Sequence, residues 1–324
     1  MASLLYETRL SQNREANSFL SFPITRNESK AYHSIGENVG GMMYMERAKE
    51  IVHAENVYRK GYAGRGVRIA LLDTGVFLHR DLKCKVVFFK DYINYRKMIY
   101  DDNGHGTHIA GIINEMAPGV ELLVFKILDK SGSGTTEKAL KALDWIQKNH
   151  VKWNIKLLNF SMGYLPNTNA AMQNRLIQKL EQLWEEGVTV VTAAGNNGPK
   201  ENSITVPGVS RKVITVGSSD DLEPGKKAYG GRGPTSCCIV KPEILAPGTN
   251  IRSFSLRDGE YVYKSGTSMS VPIVCGALAL ALEKNPKLKP VELKLLLYDS
   301  VSEKIKNLSP AWGILNVDNL IKML

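Results

Sequence analysis

Gly266-Thr267-Ser268-Met269-Ser270-Val271-Pro272-Ile273-Val274-Cys275-Gly276 carries a turn of small residues straight into an apolar run. A serine at such a junction sits at the positive end of a helix dipole, among backbone N–H groups that no helical carbonyl satisfies. Its own N–H can then face a developing oxyanion, which suits Ser268 to acyl transfer. Ser and Thr are also favoured there as plain helix caps, so the reading needs support from elsewhere in the chain. Two upstream segments supply it. Val67-Arg68-Ile69-Ala70-Leu71-Leu72-Asp73-Thr74-Gly75-Val76 is an apolar run ending in a carboxylate, the pattern of a strand buried on both faces with Asp73 at its C-terminal end. Open α/β sheets build their sites along that edge. Asp102-Asn103-Gly104-His105-Gly106-Thr107-His108-Ile109-Ala110-Gly111 sets His105 between glycines at the mouth of a helix, where its imidazole can face the same edge.

Outward from these three segments, strand and helix alternate. Val86–Lys90, Val120–Leu128, Ile155–Phe160, Val188–Ala193 and Val213–Val216 read as strands. Thr135–Asn149, Ala171–Glu186 and 291–299 read as helices, and Ile51, Ala54, Val57 and Tyr58 give a short helical face. The pattern predicts an α/β fold: a doubly wound, mostly parallel sheet with helices on both faces. Residues 1–49 lack sustained periodicity and read as an N-terminal extension, with one folded domain over 50–324.

The chain has 324 residues, with 42 Lys and Arg against 32 Asp and Glu, a net charge of +10. No nucleic-acid motif or clustered basic helix accompanies that charge, so nucleic-acid partners are not expected. No apolar stretch of 18 residues stands out, and charges at Glu7, Arg9, Arg14, Glu15, Arg26 and Glu28 interrupt the first 30 residues. Neither a secretory leader nor a membrane span is expected. Cys84, Cys237, Cys238 and Cys275 fit no zinc spacing and read as reduced thiols, consistent with a cytoplasmic location. Cys275 reads as a core filler.

Thr192-Ala193-Ala194-Gly195-Asn196-Asn197-Gly198 closes another apolar strand. Alone, an Asn in a Gly-rich turn is an ordinary turn former. In the order Asp73, His105, Asn196, Ser268, these segments resemble the subtilisin-like serine proteases, or subtilases, over roughly residues 50–322. The order Asp, His, Ser is subtilisin's own. Tyr229–Thr235, Lys241–Gly248 and His79-Arg80-Asp81-Leu82 are similar to segments of intracellular bacterial members.

The resemblance implies a serine endopeptidase acting on polypeptides, in intracellular protein turnover or precursor processing. His105 would be the general base, Asp73 its orienting carboxylate, Ser268 the nucleophile, and Asn196 with the Ser268 N–H the oxyanion donors. It assigns Ser131-Gly132-Ser133-Gly134 and Ser161-Met162-Gly163 to edges that pair with an extended substrate. Ala193-Ala194-Gly195 form one wall of the pocket for the residue before the cut. Thr205 lies near the floor, favouring uncharged, medium or large side chains. Residues 1–49 are too short for the folded propeptide of secreted members. The intracellular members instead imply a short extension lying across the cleft until it is cut, so that the chain's own N-terminus is a candidate partner; a loosely packed surface tail is the plainer reading.

Ser270 and Ile273 depart from the family's Ser-Met-Ala-x-Pro-His run, which is expected to alter helix packing rather than catalysis. The chain between His105 and Ala117-Pro118 is shorter than in secreted subtilisins, which implies loss of their tight calcium loop. No cofactor or metal ligand set is assigned; a weak calcium site of loop oxygens would leave little sequence trace. A catalytically silent member acting as a binding or regulatory module is the competing reading. The intact Asp73, His105, Asn196 and Ser268 speak against it. Oligomeric state has no signature in the sequence.

Overall fold

The computed structural model describes residues 19–21, 44–164, 170–223, 225, 227–302 and 311–324, the first of these as backbone only. Of the expected extension, residues 1–18 and 22–43 lie outside the described residues. The strands are β1 (Phe19–Ser21), β2 (Arg68–Asp73), β3 (Lys85–Asp91), β4 (Glu121–Lys126), β5 (Ser133–Thr135) and β6 (Ile155–Phe160), followed by β7 (Thr189–Ala193), β8 (Ile214–Ser218), β9 (Ile244–Ala246), β10 (Ile251–Phe254), β11 (Tyr261–Lys264) and β12 (Gly313–Ile314). The helices are α1 (Tyr44–Ile51), α2 (Glu55–Arg59), α3 (His105–Met116), α4 (Thr136–Trp153), α5 (Ala170–Glu185), α6 (Thr267–Lys284), α7 (Pro290–Ser300) and α8 (Val317–Lys322).

Eight strands form one parallel sheet in the order β12-β9-β8-β7-β6-β2-β4-β3. Helices cover both faces, so its strands are apolar almost throughout; every residue of β7 and β8 is buried. From β2 the chain builds β4 and β3 on one side and β6 to β9 on the other. That reversal opens a crevice at the carboxyl ends of β2 and β6, where a doubly wound sheet places its site. Asp73 ends β2, and Ser161 follows β6 directly.

Several boundaries differ from the expected ones for identifiable reasons. The helical face at 51–58 is two helices, broken where His53 takes a left-handed φ of 54°. The first of them begins at Tyr44, inside the expected extension. Met45 and Ala48 are buried in the main core, and Arg47 pairs with Asp220 and Glu223, so the packed body reaches back to Tyr44. α4 runs past Asn149 because Trp153 joins an aromatic cluster with Phe88 and Trp145, at centroid distances of 5.3 and 6.2 Å. It stops where Asn154 turns left-handed. The β10–β11 hairpin had no clear sequence signal.

α6 corrects the expectation that no stretch is long and apolar enough to span a membrane. By length and composition it is. In the fold it is a core helix, packed on β6 to β9 and α3, with Thr267 through Leu282 buried. Ser270, standing where the family has Ala, donates to the carbonyls of Ala246 and Pro247 at 2.9 and 3.1 Å, so its hydroxyl is satisfied inside the core.

Candidate active site

Asp73 and His105 come together across the ends of β2 and α3. His105 Nδ1 lies 2.9 and 3.0 Å from the two Asp73 carboxylate oxygens, and both side chains are buried. One Asp73 oxygen also accepts the Thr74 N–H at 2.7 Å. This approach depends on Gly106. A Cβ there would sit 2.2 Å from the Gly75 carbonyl oxygen and 3.1 Å from Asp73, forcing the helix away from the strand.

The loop entering α3 is built on Asp101. Its oxygens accept the N–H groups of Asn103, Gly104 and Thr107 at 2.9–3.0 Å and the Thr107 hydroxyl at 2.6 Å. Burial alone would raise the Asp101 pKa, but these donors outweigh it and hold the carboxyl below its usual range. His108, on the next turn of α3, donates from Nε2 to the Ile251 carbonyl at 3.0 Å, while its buried Nδ1 finds no partner among the described residues. Burial pushes its pKa well below the ordinary value, helped by the charge of Lys264, which favours the neutral ring. Burial likewise pulls the Lys264 ammonium down, partly offset by Asp101 and Asp73.

Ser268 occupies the first turn of α6 and is buried. Its hydroxyl donates to the Ser161 carbonyl at 2.8 Å, placing the edge segment Ser161-Met162-Gly163 against it. Asn196 reaches the same turn from β7. Its Oδ1 accepts the N–H and hydroxyl of Thr267, both at 3.0 Å, which turns the amide nitrogen toward the Gly266 Cα; a Cβ on Gly266 would lie 2.9 Å from it. Thr267 Oγ1 in turn accepts the Gly195 N–H at 3.2 Å, fixing the wall to the helix start. The arrangement has the parts of an acyl-transfer site: an oriented imidazole, a hydroxyl at a helix N-terminus and an amide nitrogen at the Gly266 turn that leads into that helix.

Of the two segments expected to pair with substrate, Ser161–Gly163 touches Ser268, and the other runs into β5. Gly132 precedes β5, which contains Ser133 and Gly134. β1 pairs antiparallel with that strand in the register Phe19↔Thr135, Leu20↔Gly134 and Ser21↔Ser133. Met162, Ala193 and Ala194 are buried. Thr205 stands between Gly163 and Gly195. A Cβ on Gly163 would meet its Oγ1 at 2.6 Å, and one on Gly195 its Cγ2 at 2.5 Å. Among the described residues no group of three or more His, Cys, Asp or Glu is placed to hold a metal ion. All four cysteines are free, with Cys84 and Cys275 buried and Cys237 and Cys238 exposed.

The sequence profile of the subtilase family matches residues 64–314. The chain belongs to the subtilase family. This subtilase is 36% identical over 316 residues to serine protease AprX of Bacillus subtilis (strain 168), covering 86% of this chain and 71% of that one. Subtilisin DY of Bacillus licheniformis is 30% identical over 280 residues, covering 83% and 95%. The crystal structure of a cold adapted subtilisin-like serine proteinase superposes with a TM-score of 0.66 at 30% identity, covering 79% of this chain and 90% of that one. The subtilase is therefore a subtilisin-like serine endopeptidase with the family's α/β fold. Sequence reasoning overlooked Lys126, Asp101 and Thr267 as structural members of its site. Lys126 did leave a trace, as the one charge near the end of the apolar run Val120–Leu128.

Proposed function

We propose that this subtilase hydrolyses peptide bonds through Asp73, His105 and Ser268, with Asn196 and the Ser268 N–H binding the oxyanion. The observation that carries the proposal is the His105 Nδ1 contact with both Asp73 oxygens, at 2.9 and 3.0 Å. Asp73 thereby selects the tautomer that leaves Nε2 as the base. The Ser268 hydroxyl turns from the Ser161 carbonyl to His105, which takes its proton as Oγ attacks the substrate carbonyl. The Asn196 amide and the helix-end N–H receive the negative charge that develops on oxygen. His105 then protonates the leaving amine, and water repeats the cycle on the acyl-enzyme.

The substrate lies as an added strand against Gly132-Ser133-Gly134 and Ser161-Met162-Gly163, so backbone pairing supplies affinity for many sequences. Ala193, Ala194, Gly195 and Thr205 form the pocket for the residue before the cut. Because the Thr205 side chain fills the space between Gly163 and Gly195, the uncharged side chains accepted there are small to medium rather than large. The extension is the enzyme's own partner: the β1 backbone occupies β5 as a substrate strand would. The enzyme works in the cytoplasm, in protein turnover or precursor processing, a reading supported by the free, exposed thiols of Cys237 and Cys238.

A fluorophosphonate probe followed by intact mass tests the chemistry, with Ser268→Ala alongside. Wild type is expected to gain one adduct on Ser268 and to lose mass from residues 1–49, while the variant does neither. Folded wild type that stays unlabelled would refute the catalytic reading. Labelling without trimming would leave catalysis standing and remove cleavage of the extension.

A further inference from the structure

Lys126 ends β4 directly beside Asp73 in the parallel register. Its side chain is fully buried. An ammonium taken out of water is costly unless its protons all find acceptors, and Lys126 has three protons and three acceptors. Nζ donates to the Thr74 carbonyl at 2.6 Å, to Asp102 Oδ1 at 2.6 Å and to the Leu128 carbonyl at 2.9 Å. The Tyr100 ring lies 5.1 Å from the same nitrogen.

Each acceptor belongs to a different working segment. Thr74 follows Asp73, and its hydroxyl accepts the Gly106 N–H next to His105 at 2.9 Å. Asp102 belongs to the loop that enters α3. Leu128 begins the turn to β5, where Asp129 accepts the N–H groups of Ser131 and Ser133 at 2.8 and 3.1 Å.

We propose that Lys126 is a positioning residue for peptide hydrolysis, its ammonium holding the Asp73 strand end, the His105 loop and the root of the Gly132–Gly134 edge in one arrangement. The proposal rests on the catalytic reading of Asp73, His105 and Ser268. Lys126 touches none of the reacting atoms and acts through the Asp73–His105 contact, where a displacement of about 1 Å costs about 10²-fold in rate. The substrate edge also keeps its own backbone and Asp129 bonds, so ground-state binding depends on Lys126 much less than the chemical step does.

The test compares wild type, Lys126→Met, Lys126→Ala, Asp102→Asn and the Lys126→Met/Asp102→Asn pair, with kcat and KM counted per fluorophosphonate-titrated site. Lys126→Met is expected to lower kcat about 10²-fold with KM within about threefold. Asp102→Asn lowers kcat about tenfold, and the pair is no worse than Lys126→Met, because both remove one shared contact. In Lys126→Ala, added ethylammonium restores part of kcat while tetramethylammonium does not. A Lys126→Met enzyme with wild-type kcat per titrated site, or one whose loss lies in KM, overturns the proposal. If Lys126→Met does not fold, Asp102→Asn carries the test, and an unchanged kcat there overturns it. Absence of labelling in wild type would instead defeat the catalytic reading itself, a separate and earlier failure.

Discussion

Thr205 sets the depth of the pocket in which the residue before the cut is proposed to sit. Its side chain packs between Gly163 and Gly195, and neither glycine has room for a Cβ beside it. Thr205 Oγ1 also donates to the Ala194 carbonyl at 3.3 Å, which keeps the side chain in place. Replacing it with Gly removes the methyl and hydroxyl from the floor without touching Asp73, His105 or Ser268. Across peptides differing only at that position, Thr205→Gly is expected to raise kcat/KM for Phe relative to Ala by about tenfold, the scale of one or two methylene contacts in an apolar pocket. An unchanged Phe/Ala ratio would mean that another side chain forms the floor. The family resemblance made Thr205 a candidate and implied medium or large side chains, whereas its packing between two glycines argues for smaller ones.

α1 and β1 divide the N-terminal extension into two parts with different roles. α1 belongs to the fold: burying Met45 contributes about 2–3 kcal/mol, and Arg47 anchors the helix to Asp220. Asp220 itself lies below its usual carboxyl range because N–H donors from Gly248 and Thr249, with Arg47 nearby, outweigh its burial. Among the described residues β1 instead pairs with β5 alone, the edge proposed to receive substrate. Removing residues 1–43 is therefore expected to leave the melting temperature close to wild type and to raise kcat/KM on peptides. Removing residues 1–49 lowers the melting temperature by several degrees. Equal activity before and after the shorter deletion would show that β1 does not compete with substrate. The sequence separated an aperiodic N-terminus from a periodic domain, yet placed the boundary too late. A short helix such as α1 carries too few apolar repeats to stand out until Met45 and Ala48 are seen against the core.

At the scale of the whole molecule, acid stability depends on the polar groups buried beneath the site. In an unfolded chain His108 takes a proton near pH 6.5, but in the fold it stays neutral until well below that. Across this interval the unfolded state binds one more proton, so stability falls as pH drops, with a slope approaching 1.4 kcal/mol per pH unit. His108→Gln removes the titration, so its melting temperature is expected to fall less between pH 8 and pH 5 than that of wild type; parallel curves would rule His108 out. Parallel strands buried on both faces leave long apolar runs, and the helix and strand periods differ, so the sheet and most helices were legible in the sequence. The segments proposed to carry the chemistry also stood out, because Asp73, His105, Asn196 and Ser268 each lie at the border of an apolar run, close to small residues. The long-range partners did not. The Lys126 bonds to Thr74 and Asp102, the place of Thr205 between Gly163 and Gly195, the bond from His108 Nε2 to the Ile251 carbonyl and the pairing of β1 with β5 each join segments distant in the chain. Local pattern determined which elements form and which residues are candidates for the chemistry. Only tertiary packing decided which buried charges hold them in register, because satisfying a desolvated group depends on atoms that the sequence does not place next to it.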